Sequence, residues 1–145
     1  MAMREARRLD RLLQHRREEE ERALAEEAAA LHQVQAVRQR VHALEGQLHT
    51  GGESAQALLR WTELRDEQLW ALKLHERAQN QRALLRRCEA RLAEARAAVA
   101  EAGRRRLVVE RLSDTARQRR RRRDEAAAQR ELDESARLRA LLREG

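Results

Sequence analysis

A chain of 145 residues, 39% of them charged and with no Phe or Tyr, lacks the aromatic bulk from which a globular core of this length is normally built. Its formal charge is +7, it holds no proline, and its one cysteine, Cys88, excludes an internal disulfide. Its apolar residues are mostly Ala, Leu and Val and its charged ones mostly Glu and Arg, a composition for long helices joined along a narrow seam.

The first helix is expected from about Arg4 to His49. Its second half carries a clear seam, Val34, Val37, Val41, Leu44 and Leu48, spaced alternately by three and four as in a coiled coil. The first half is looser: Leu9, Leu13, Leu24 and Leu31 hold the pattern only with a phase shift, and Glu18, Glu19, Glu20 and Glu21 interrupt it. The one convincing break is His49-Thr50-Gly51-Gly52-Glu53-Ser54, where paired glycines accept positive φ and Thr50 or Ser54 could cap the second helix.

The second helix has the strongest periodicity. Leu64, Ala71, Ala78, Leu85, Leu92, Val99 and Arg106 recur every seven residues, interleaved with Leu74, Gln81, Cys88, Ala95, Ala102, Val109 and Ala116. Gly103 is its expected weak point. Beyond Ala116 the seam fades into arginines, and Leu138, Leu141 and Leu142 return near the end. The expected fold is all-α: a single coiled-coil domain over 1–145, in which a short break reverses the chain into an antiparallel hairpin. The helix lengths are unequal, so two arrangements stay open. Either the second helix overhangs, or residues 50–75 form a short helical tip, the preferred version, with the second helix continuing to about 142.

The pattern offers protein docking, not catalysis. No phosphate-binding glycine loop is present. Ser54, Ser113 and Ser135 have no histidine in a nucleophilic arrangement. His15, His32, His42, His49 and His75 read as surface residues, and no cofactor, metal or small-molecule substrate is expected. Cys88 falls on the seam and reads as a small core residue. Charge is uneven: residues 1–50 hold nine Arg and nine Asp/Glu, whereas 104–123 hold ten Arg against Glu110 and Asp114. The run Arg119, Arg120, Arg121, Arg122 and Arg123 reads first as a docking surface for an acidic protein. A solvated helical face is the plain alternative. Nucleic acid ranks third, because five consecutive residues point all round a helix and Asp124 and Glu125 follow at once. Trp61 and Trp70, the only aromatics, either close the end of the hairpin or anchor a partner. No apolar run approaches the ~18 residues of a membrane span. Met1 to Arg8 has no signal-peptide stretch, so a soluble cytoplasmic protein is expected.

Several segments, in order, resemble one family. They are Arg7-Arg8-Leu9-Asp10-Arg11-Leu12-Leu13, then Arg60-Trp61-Thr62-Glu63-Leu64, then Val109-Glu110-Arg111-Leu112. The arginine run and Arg130-Glu131-Leu132-Asp133-Glu134-Ser135-Ala136 complete the series. Along nearly its full length the chain resembles the FliJ/YscO family of type III secretion, flagellar or injectisome. The lack of tyrosine near the tip points to the bacterial virulence-type members. The resemblance implies a fold similar to the coiled coil of the rotary ATPase γ subunit. It also implies a central stalk at the cytoplasmic face of the secretion apparatus, with paired helix ends in the pore of the secretion ATPase hexamer. The tip would face the cytoplasmic domain of the export-gate protein, and some members bind export chaperones. On this chain the ATPase end would use Arg7, Arg8, Arg11, Arg119, Arg120, Arg121, Arg122, Arg123, Leu138 and Leu142. The gate-facing end would use Arg38, Leu44, Trp61, Leu64 and Trp70.

Overall fold

The computed structural model describes residues 2–54 and 61–144, with side chains described over 3–50 and 65–144. It is all-helical: α1 spans Ala2–Ser54 and α2 spans Trp61–Glu144. With no proline in either segment, nothing removes a helical hydrogen bond. α1 does not stop at His49. It runs through Gly51 and Gly52 to Ser54, and no described residue has positive φ. Thr50 is not a cap; its hydroxyl donates back to the Gly46 carbonyl at 3.0 Å, a bond that a helix interior accommodates. Residues 55–60 of the expected tip, and the Ser54 cap side chain, lie outside the described residues.

The chain divides into two compact units, Glu21–Glu101 and the pair of segments Met1–Glu20 with Ala102–Gly145. In Glu21–Glu101 the core is Val34, Val37 and Val41 from α1 with Cys88 and Leu92 from α2. Ala30, Leu84 and Leu85 pack against it, partly buried. Val34 is 1% exposed, and burying such a side chain fully contributes roughly 1.5–3 kcal/mol. Ala78 is completely buried, and so small a side chain lets a neighbouring backbone come close. Two ion pairs fix direction. Arg38 meets Glu89 at 3.5 Å, and Arg82 donates from Nε and Nη2 to Glu45 Oε1 at 3.1 and 3.0 Å. Position rises from 38 to 45 on α1 as it falls from 89 to 82 on α2, so the helices run antiparallel.

In the other unit several of the same heptad positions are polar. Leu13, Val109 and Ser113 are buried. Arg16, Glu20 and Arg106 are half-buried at the seam between them. Arg106 donates to Glu20 through Nε and to Glu110 through Nη1, the latter at 2.6 Å. Asp10 and Arg117 pair at 3.7 Å, again antiparallel to the Glu20–Arg106 pair.

One expectation changes here. The seam of α1 has no phase shift. Residues 9, 13, 16, 20, 23, 27, 30 and 34 are all buried or half-buried in one unbroken heptad rhythm. Leu24 and Leu31, read as seam residues, are exposed. Following leucines alone slips the register by one, because Arg16, Glu20 and Glu27 occupy seam positions. Long charged side chains can lie along a seam with their heads reaching out. Gly103, the expected weak point, lies inside α2, which continues through it.

In α2, every expected heptad position from Ala71 to Ala116 is buried or half-buried. From Arg117 to Glu144 every residue is exposed. α1 begins at Ala2, eight positions before Asp10, while α2 continues 27 positions beyond Arg117. Its final stretch is therefore a helix with nothing beside it among the described residues.

Candidate protein-docking surfaces

Helical geometry splits the arginine run. Arg119, Arg120 and Arg123 fall on one side of α2 and line an open groove of about 380 Å³ together with Glu5, Leu9 and Asp10 of α1. Arg121 and Arg122 are exposed but do not line it. The groove thus mixes cations with the carboxylates of Glu5 and Asp10, and Asp10 is already engaged by Arg117. Arg7, Arg8 and Arg11 are exposed on α1 in the same unit. Leu138 and Leu142 lie well past the groove on the unaccompanied end of α2, and Leu142 is 80% exposed. On that end Leu138, Leu141 and Leu142 follow the three- and four-residue spacing of one helix face, an apolar stripe with no partner among the described residues.

The residues expected to face an export gate are spread over the other unit. Arg38 is exposed but held by Glu89. Leu44 is half-buried and lines an open groove with Arg40, Arg77 and Gln81. The side-chain carbonyl of Gln81 is buried there without a hydrogen-bond donor. Trp70 is half exposed, which fits an anchor better than a plug. The side chains of Trp61 and Leu64 lie outside the described ones.

Beside the seam of the first unit, Arg16 donates from Nη1 to Glu19 at 3.0 Å, and His15 meets the same carboxylate at 3.0 Å. The Arg16 hydrogen bond holds Glu19 below the usual carboxylate range; burial works against this, and the charges of Arg16, His15 and Arg105 reinforce it. The Nε of Arg16 is buried with no acceptor. These charges form a polar layer within the packing. Such layers favour one register at some cost in stability.

Several exposed apolar residues escape a reading that follows the heptad seam alone. Leu69 and Leu72 flank Trp70, and Leu12, Leu107, Val108 and Leu112 stand off the seam. The signal for them is simple: a leucine or valine outside the a and d positions of an otherwise strict heptad. Among the described residues no cluster of His, Cys, Asp and Glu could hold a metal ion, and no helix is long and apolar enough to cross a membrane. No protein-family model, curated protein or solved structure matches the chain.

Proposed function

We propose that the chain is the central stalk of a type III protein secretion ATPase complex. It docks in the ATPase hexamer at the cytoplasmic face of the apparatus, and it links that hexamer to the export-gate protein. One observation carries the reading: α2 bears the arginine run beside the first turns of α1 and then continues alone, as an exposed helix with an apolar stripe. A free helix with that chemistry suits insertion into a pore lined by acidic groups and small apolar pockets. The ordered segments that resemble the FliJ/YscO family support the same reading. Trp70 and Leu44 remain the candidates for the gate-facing contact, and export chaperones are further candidate partners.

The test is to mix the full chain with a type III secretion ATPase and follow complex mass by light scattering. Arg119, Arg120, Arg121, Arg122 and Arg123 are then replaced together by Gln. Wild type is expected to co-migrate with the hexamer. The neutralised variant is expected to bind at least about tenfold more weakly and with less salt dependence. Equal binding by both would remove the arginine run from the account. No binding by wild type would leave a general coiled-coil scaffold, the second reading, which the strict heptads also support.

A further inference from the structure

Leu12 on α1 and Leu107, Val108 and Leu112 on α2 are large apolar residues that the seam does not use; Val108 is 59% and Leu112 53% exposed. All four belong to one unit. Their arrangement follows from the register. Leu12 directly precedes the seam residue Leu13, and Leu112 the seam residue Ser113; in each helix the next seam residue, Arg16 or Ala116, comes three positions later. Equivalent positions of an antiparallel heptad pair share one flank, and the Asp10–Arg117 ion pair sets these two at nearby levels. Val108 is one turn from Leu112 on α2. The three make an apolar patch that spans both helices.

Its rim is basic. Arg8 is one turn from Leu12, Arg111 is within a turn of Leu107 and Val108, and Arg119 is the next residue along the flank after Leu112. These three arginines are exposed and make no ion pair with any described residue. Glu110, the acid nearest to Arg111, is occupied by Arg106. A contiguous apolar patch with a charged rim marks an interaction site, and the sign of the rim selects the partner. A second copy of this chain would bring the same arginines against it. Nucleic acid would use the arginines and leave the leucines idle.

We propose that this patch docks an acidic amphipathic helix of another protein. The apolar ridge of that helix would cover Leu12, Val108 and Leu112, and its carboxylates would meet Arg8, Arg111 and Arg119. The proposal shares Arg8 and Arg119 with the residues expected to meet the ATPase, whereas Leu12, Val108, Leu112 and Arg111 belong to it alone, so the leucine and valine variants test it separately from the stalk reading.

The experiment uses the full chain and a labelled peptide with leucines at i, i+3, i+4 and i+7 and glutamates between them, followed by fluorescence anisotropy. Controls are a peptide of the same composition in scrambled order and the chain variant Leu72→Gln in the other unit. Val108→Gln and Leu112→Gln keep helix propensity, and circular dichroism checks that they fold. The patterned peptide is expected to bind wild type and Leu72→Gln alike. Val108→Gln and Leu112→Gln are each expected to weaken binding about tenfold, as truncated hot-spot residues do. Arg111→Gln with Arg119→Gln is expected to flatten the salt dependence. Equal binding of the scrambled peptide, or wild-type affinity in the folded Leu112→Gln chain, overturns the proposal. A wild-type dimer that Leu112→Gln dissolves assigns the patch to a second copy and also overturns it. So does an oligothymidine strand that displaces the peptide and binds Leu112→Gln as tightly as wild type.

Discussion

In Glu21–Glu101 the seam is mostly aliphatic, with Val34, Val37 and Val41 packed with Cys88 and Leu92. In the unit made of Met1–Glu20 and Ala102–Gly145, equivalent heptad positions carry Arg16, Glu20, Arg106 and Ser113. Apolar burial is strong and undirected, so the first seam holds its helices together but tolerates sliding by a heptad. Charged layers add little net stability and penalise the wrong register, because a slipped Glu20 would lose Arg106. One region supplies cohesion and the other specifies alignment. The exposed docking features lie mostly in the second.

The comparison breaks most visibly at the aliphatic core. Leu92→Ala is expected to cost about 3 kcal/mol in chemical denaturation, since it opens a cavity in a seam with few neighbours to close it. A cost no larger than that of an exposed leucine such as Leu72 would mean that no core exists there.

Next in size is the polar layer. Arg106→Ala leaves Glu20 and Glu110 without their shared cation at half-buried positions, an expected loss of about 1–2 kcal/mol. Replacing Glu20 and Arg106 together by Leu is expected to be neutral or stabilising, as apolar replacements of buried pairs often are. The same double variant should lose uniqueness, seen as mixed oligomers by light scattering. A double variant that is both destabilised and uniformly monomeric would contradict the division of labour.

Gly103→Ala should work in the opposite direction. The glycine has no positive φ, and an added Cβ would meet only Glu20 Oε1 at 3.8 Å, an ordinary contact. Helix propensity then predicts a gain of about 0.5–1 kcal/mol, measurable as a higher Tm.

The smallest expected effect concerns acid. Glu19 is depressed by the Arg16 hydrogen bond, so its contribution is present above the ordinary carboxylate range and fades as pH falls through its lowered folded value. Comparing Glu19→Gln with wild type, the two stability curves should converge at the acid end and separate only above it. Curves that separate on acidification would reverse the sign of the account.

Much of α2 is legible from its spacing. Leu74, Ala78, Cys88, Leu92 and Val109 all occupy the expected seam and are buried. The antiparallel direction follows from helices of this length in one chain. α1 is harder, for a physical reason. Arg16, Glu20 and Glu27 occupy seam positions in its first half, and a reader who weights leucine places Leu24 and Leu31 inside when Ala23 and Ala30 are there instead. The flank pairs Glu45–Arg82 and Arg38–Glu89 emerge only once the register is known, because either charge alone is unremarkable on a helix surface. Gly51 and Gly52 mislead about where α1 ends: glycine permits a break but does not impose one. For the docking residues, the sequence marks the arginine run but not which of its members line a groove. That depends on the partner helix.

Hydrogen exchange along the chain, alone and with a type III secretion ATPase, tests the central claim most directly. Alone, amides over 78–101 should exchange slowest and those beyond about residue 126 fastest, because only the former are packed against another helix. Added ATPase should slow exchange selectively over 117–144. Uniform protection along α2 in the free chain, with no change on adding the ATPase, would contradict both the free helix and its role in docking.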